Sequence, residues 1–200
     1  MRPGDRQRVL DVALALLGVL VALPVLVVVS VMVKLSSPGP VLHRAPRVGR
    51  AGRPFVLLKF RSMRVGASTQ GPGVTVAGDR RVTRLGRWIR RSKLDELPQL
   101  FNVLAGDMAI VGPRPEDARY VATYSDEQRE ILRWRPGITS PASVRFRDEE
   151  QTLAALGGDP ERAYSVLMGQ KIAIDLEYFR RRSLWGDVRI LAATARSVVR

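Results

Sequence analysis

The chain contains no cysteine in 200 residues, which excludes disulfides and thiolate metal sites and leaves the redox compartment open. It has one histidine, His43, which argues against a histidine-based zinc site and against a Ser-His-Asp triad. His43 lies in a basic, loop-like stretch and reads as a solvated or packed side chain. Aromatic residues make up only 6%, too sparse for the stacking surfaces of single-stranded nucleic-acid binders. From Val12 to Gly78 there is no acidic residue at all. Chemistry in this chain must therefore come from carboxylates, Lys, Arg or a hard metal ion.

What is abundant is positive charge and one apolar run. Lys and Arg number 33 against 19 Asp and Glu, a formal net charge of +14, which suits nucleic acid, anionic lipid or phosphorylated substrates alike. Val12 to Val33 carries no charge, and a straight helix over it would span about 33 Å, enough to cross a bilayer. Arg2, Arg6 and Arg8 precede the run, and Lys34, Arg44, Arg47 and Arg50 follow it, so both flanks ask for the cytoplasmic face. Pro24 splits the run, removing one backbone donor and opposing the Leu20 carbonyl. Each half, about 18 and 14 Å long, is too short to cross but long enough to dip and return. The sequence rules leave a re-entrant hairpin and a kinked spanning helix both open.

Past Ser36-Ser37-Pro38-Gly39-Pro40, which marks the membrane exit, the basic residues Lys59, Arg61 and Arg64 extend a cationic surface beside the headgroups. Phe55–Phe60 reads as a strand, 68–78 as a Gly/Thr/Ser loop, and 80–92 as a basic helix. Leu97, Leu100, Phe101 and Leu104 predict a helix from Asp95 to Ala105, stopped by Gly106, with Pro98 in its first turn. Asp159-Pro160-Glu161 opens a helix reaching about Arg182. Asp187 opens a last one, with Val188, Leu191, Ala195 and Val198 on one face and Arg189, Arg196 and Arg200 off it. That helix suits either the membrane surface or packing on the domain.

Asp95-Glu96 puts two carboxylates among Arg90, Arg91 and Lys93, where the cations and the helix dipole favour an ionised Asp95. Such a carboxylate can attack phosphorus or bind Mg²⁺; read locally, the doublet is also ordinary capping chemistry. In Gly112-Pro113-Arg114-Pro115, two prolines restrict where the guanidinium can go, which suits phosphate binding as well as a plain rigid turn.

Taken together, the motifs resemble the bacterial sugar transferases, the monotopic polyprenol-phosphate phosphoglycosyl transferases. The stretches that carry the resemblance are Ser37-Pro38-Gly39-Pro40-Val41, Arg47-Val48-Gly49-Arg50, Lys59-Phe60-Arg61-Ser62-Met63, Leu94-Asp95-Glu96-Leu97-Pro98-Gln99-Leu100, Gly106-Asp107-Met108, Val111-Gly112-Pro113-Arg114-Pro115-Glu116 and Arg135-Pro136-Gly137-Ile138-Thr139, in family order over about the first 140 residues. The resemblance implies an α+β, mainly α fold. Residues 1–36 would form a re-entrant helix-break-helix with its break at Pro24, and 37–200 a catalytic domain on the cytosolic face of the bacterial inner membrane, carrying interfacial amphipathic helices.

The implied reaction moves a sugar-1-phosphate from a UDP-sugar to a polyprenol phosphate, releasing UMP, through a covalent phosphosugar on Asp95. This would be the first membrane step of surface glycan assembly, such as exopolysaccharide. The resemblance gives Glu96 to Mg²⁺ or to the acceptor, Asp95 and Glu96 to the metal, and Lys59, Arg90 and Arg114 to phosphate. The chain departs from the family with Leu23 before Pro24, Lys93 where Ser is frequent, and Ser140–Arg147 after the Pro-Gly-Ile-Thr motif. Arg145 and Arg147 are the candidates there for nucleotide-sugar contacts. Membrane lipids are expected partners, nucleic acid is not, and a homodimer stays open. Two other readings compete: a non-enzymatic, membrane-anchored basic domain that binds anionic lipid or nucleic acid, and a metal-dependent glycosyl transferase that would release UDP.

Overall fold

The computed structural model describes residues 3–67, 71 and 73–199. Arg2, part of the predicted 68–78 loop, and Arg200 lie outside the described residues, as do the side chains of Arg6 and Val198. Helix α1 runs from Pro3 to Ser36. It is one continuous helix with Pro24 inside it, so the predicted break does not interrupt the helical assignment. A proline removes only one rung of the ladder, and the remaining bonds carry the helix past it. Six residues past Pro24, Ser30 Oγ donates to Leu26 O at 2.6 Å.

The rest is mainly helical around two small sheets. Strands β1 (Leu42–Val48) and β2 (Pro54–Phe60) form an antiparallel hairpin that pairs His43 with Lys59. The predicted strand is therefore correct and one residue longer, whereas the stretch around His43 is a strand and not a loop. Helix α2 spans Arg84–Arg91, shorter than predicted, because Thr83 caps it by accepting from Gly86 N. Helix α3 covers Gln99–Ala105 and ends at Gly106, with φ +97. Asn102 locks α3 to β2: its side chain accepts from Leu58 N at 2.9 Å and donates to Val56 O at 2.7 Å.

Strand β3 (Ala109–Val111) pairs in parallel with β4 (Gly137–Thr139). Between them lie the short helices α4 (Ala118–Val121) and α5 (Asp126–Arg129). After β4 come α6 (Pro141–Arg145), α7 (Glu149–Leu156), α8 (Pro160–Arg180) and α9 (Leu184–Val199). The main core joins Val103, Met108 and Ile110 to Leu167, Met168, Leu176 and Phe179 of α8. A second cluster packs Leu26, Val29 and Val33 of α1 against Phe60 and Ile89.

The last helix begins at Leu184, one turn before the predicted Asp187, because Ser183 Oγ accepts from Gly186 N. Its buried side centres on Ile190, and Thr194 bonds Thr139 at 2.7 Å. The predicted apolar face does not hold together: Leu191 is partly buried, while Val188 and Ala195 point outward. Leu184 and Trp185 join Val188 on the exposed side.

The joint between α6 and α8 rests on a buried acid. Asp175, 3% exposed, accepts from Ala142 N at 2.9 Å. Burial pushes its carboxyl up to about 7, against the Ala142 and Ser140 hydrogen bonds and Lys171. A raised folded-state pKa stabilises fully below the unfolded value near 3.8, and that contribution is lost as pH rises through 7. Thermal unfolding should therefore show stability falling between about pH 4 and 7, by up to roughly 4 kcal/mol in all, and levelling above pH 7. Asp175→Asn, which keeps an acceptor for Ala142, should flatten that fall.

Candidate active site

The site forms where three segments converge. At the end of β2, Lys59 points its ammonium at Glu96 Oε1, 3.1 Å away. Asp95 and Glu96 lie in a 3-10 turn, Leu94–Glu96, rather than at the start of a longer helix as the periodicity predicted. The correction has a local cause. Lys93 adopts φ +57, a left-handed conformation that turns the chain after α2, and Pro98 restarts it at the mouth of α3. Lys93 Nζ then donates to Arg147 O at 3.1 Å, which ties the dyad to the segment after α6.

Arg114 arrives from the loop after β3, and its guanidinium nitrogens sit 3.4 and 3.5 Å from Glu96 Oε1. The loop is fixed by backbone contact with the Arg-Pro-Gly motif. Gly112 N donates to Thr139 O at 2.9 Å, and Gly137 N to Pro113 O at 2.9 Å. A Cβ on Gly112 would stand 2.3 Å from Arg135 O, and one on Gly137 2.0 Å from Gly112 N. Neither glycine can carry a side chain without parting these segments. Gly112→Ala and Gly137→Ala should each destabilise the fold by about 2–4 kcal/mol, read by denaturant melts, and loosen Arg114.

Arg90 is committed elsewhere. Its Nε donates to Glu150 Oε1 at 2.9 Å, Nη2 bonds the same oxygen, and Nη1 reaches Ser62 Oγ at 3.3 Å. Sequence reading missed both this partner and Glu149, which pairs with Lys171 at 2.5 Å and faces Arg114. Of the two candidates after β4, Arg147 is half-buried with its carbonyl on Lys93; Arg145 is exposed beside Phe146.

The two acids are not equivalent. Burial acts to raise Glu96, yet Lys59, Arg114 and Lys93 hold it well below the carboxylate range, fully ionised. Glu96 in turn raises Arg114. Asp95, 5% exposed, is pushed up by burial and by Glu96, against Lys59, Arg90 and Lys93. The cations alone suggested a depressed acid; the desolvation outweighs them. Asp95 Oδ1 is buried and has no hydrogen-bond partner among the described residues. Buried carboxylate oxygens are rarely left unsatisfied, which makes this atom the candidate contact for a ligand, ion or water. The described residues contain no group of three or more acidic or histidine side chains that would cage a metal.

The site thus holds a buried, unsatisfied carboxylate next to an ionised one on which Lys59 and Arg114 converge, in a chain whose first helix is long and apolar enough to cross a membrane. The chain belongs to the bacterial sugar transferase family, whose pattern matches residues 5–200, and is a transferase. It is 42% identical over 213 residues to the UDP-glucose:undecaprenyl-phosphate glucose-1-phosphate transferase of Caulobacter vibrioides, covering all of this chain and 75% of that protein. The identically named protein of Xanthomonas campestris pv. campestris is 43% identical over 92% of this chain. A UDP-N-acetylgalactosamine-undecaprenyl-phosphate N-acetylgalactosaminephosphotransferase of Aeromonas hydrophila is 37% identical over 96%. This chain spans only 37% and 43% of the length of those last two.

Proposed function

We propose that the chain transfers a sugar-1-phosphate from a UDP-sugar to a polyprenol phosphate, undecaprenyl phosphate by analogy with its relatives, as the first membrane step of a surface glycan. The unsatisfied Asp95 Oδ1 carries this reading. Asp95 attacks the β-phosphorus of the donor. The bond from that phosphorus to the bridging oxygen breaks, and UMP leaves with the electron pair. An oxygen of the acceptor phosphate then attacks the same phosphorus, the bond to Asp95 breaks, and polyprenyl-diphosphate-sugar departs with the carboxylate restored. Lys59, Arg90 and Arg114 bind the phosphates; for Arg90 this means exchanging Glu150 for a phosphate oxygen. Arg147, beside Lys93, is better placed than Arg145 for a nucleotide-sugar contact.

The residues fit Mg²⁺. That ion takes one or two carboxylates and completes its shell with water and substrate phosphate, so Asp95 and Glu96 would suffice without a protein cage. Bound there, it would neutralise diphosphate charge.

The deciding experiment supplies UDP-glucose or UDP-N-acetylgalactosamine, Mg²⁺ and undecaprenyl phosphate to solubilised protein, and identifies the nucleotide. UMP is expected. UDP as sole product would instead mean direct glycosyl transfer.

The same reading makes α1 re-entrant, with the domain of residues 37–200 on the cytosolic face of the inner membrane. Both ends of α1 are attached to that domain. Arg8 donates to Val103 O at 2.6 Å and Leu104 O at 3.1 Å, and Asp11 accepts from Ile110 N at 3.0 Å. Near the other end, Arg61 donates to Val33 O at 3.2 Å and Ser37 O at 2.6 Å. Contacts with the domain also run along the middle of α1, where Ala15 joins the main core and Leu26 and Val29 pack with Phe60 and Ile89. One side of the helix thus lies on the domain along its length instead of standing free as a span. Leu16, Leu17, Leu20, Val21 and Leu23, each at least 50% exposed, offer the surface to lipid. Cysteines at Arg2→Cys and Ser36→Cys should label from the same side in vesicles; labelling from opposite sides would mean a spanning helix.

A further inference from the structure

A cavity of about 710 Å³ opens where α1 leaves the apolar run, away from the dyad. Ser36, Ser37 and Pro38 form one wall, and Arg64, Val65 and Arg84 the other. The wall is rigid. Arg61, only 7% exposed, has its guanidinium on Val33 O, Ser37 O, Ser37 Oγ and Pro38 O, so it clamps the exit segment and is not available to a ligand. Arg64 N bonds Arg81 O, and Thr83 N bonds Ser62 O, which fixes the opposite side.

Arg64 and Arg84 differ from the cations of the active site. Both are exposed, and neither guanidinium has an acidic or carbonyl partner among the described residues. Lys59, Arg90 and Arg114 are all paired with carboxylates. Large apolar side chains surround the two arginines: Leu35 is 82% exposed, Val65 64% and Trp88 52%. Trp88 stands one helical turn from Arg84 on the same face of α2. Two unpaired guanidiniums ringed by exposed Leu, Val and Trp at the end of an apolar helix match the headgroup layer, where tryptophan concentrates and basic residues meet anionic lipid.

We propose that this cavity is a binding site for the phosphate headgroup of an anionic glycerophospholipid, separate from the acceptor site. The separation follows from the cavity's lining and from helix geometry. None of Lys59, Arg90, Asp95, Glu96 or Arg114 lines the cavity, Arg84 starts α2 about 9 Å along the axis from Arg90, and Arg90 is turned to Glu150. The lipid fastens the exit of α1 to α2 and thereby seats the domain on an acidic bilayer.

The test is native mass spectrometry of the full chain in detergent with equal phosphatidylglycerol and phosphatidylcholine. The expected result is preferential retention of one phosphatidylglycerol. In Arg64→Gln/Arg84→Gln the preference should fall roughly tenfold, while the charge-matched Arg53→Gln/Arg162→Gln keeps it. Equal retention of both lipids, or an unchanged preference in the first variant, overturns the site. So does displacement of phosphatidylglycerol by undecaprenyl phosphate together with a raised acceptor KM in that variant, because the cavity would then hold the acceptor. Lipid retention is read without turnover, so it stands or falls independently of the transfer reaction.

Discussion

Asp95→Asn is expected to abolish turnover, by roughly 10⁴-fold or more, and to leave no phosphosugar adduct when enzyme and donor alone are analysed by intact mass. The substitution preserves shape and removes the nucleophilic charge, so the fold should persist, as melts will show. They should in fact improve. An ionised Asp95 is buried with Oδ1 unsatisfied, and an amide of the same size is cheaper to desolvate. Greater stability with no activity separates a nucleophile from a structural cap, whose loss would weaken the fold. Wild-type activity should also have an acid limb set by Asp95. Because burial raises its pKa, the limb should lie above the ordinary carboxylate range, with activity rising as pH climbs through it. Full activity in Asp95→Asn would end the covalent mechanism.

Much of this site was legible before any coordinates, but for uneven reasons. Lys59, Asp95, Glu96 and Arg114 stand in motifs with family order, and Lys59 and Arg114 do come together on one oxygen of Glu96, the chain neighbour of Asp95. The turn around Asp95 was misread because Leu97, Leu100, Phe101 and Leu104 keep helical spacing, and periodicity cannot register a left-handed residue such as Lys93 just upstream. Strands β3 and β4, three residues each, are too short to show alternation, although they hold Arg114 in place. Glu149 and Glu150 had no local signal tying them to arginines far away in the chain. Their one hint was compositional: Asp148-Glu149-Glu150 is an acidic cluster in a strongly basic protein. The pKa direction of Asp95 could not be read either, since charge is visible in a sequence and burial is not.

Glu96→Gln should be the second most damaging change, and its pH profile says why. Glu96 Oε1 is the shared partner of Lys59 and Arg114, so an amide leaves both cations without their counter-charge. Removing one side of a buried ion pair costs about 3–5 kcal/mol, and the loss of positioned phosphate ligands should lower kcat by roughly 10²–10³-fold. The residual activity carries the diagnostic. Glu96 is a like charge that raises Asp95, while Lys59 lowers it. Without Glu96, Asp95 ionises more readily, and its acid limb should move to lower pH even as the rate falls. A merely unfolded or loosened site would lose rate without that shift. An acid limb that stays in place or moves upward would mean that Glu96 acts only on the phosphates and Mg²⁺, and that the two carboxylates do not share one electrostatic site.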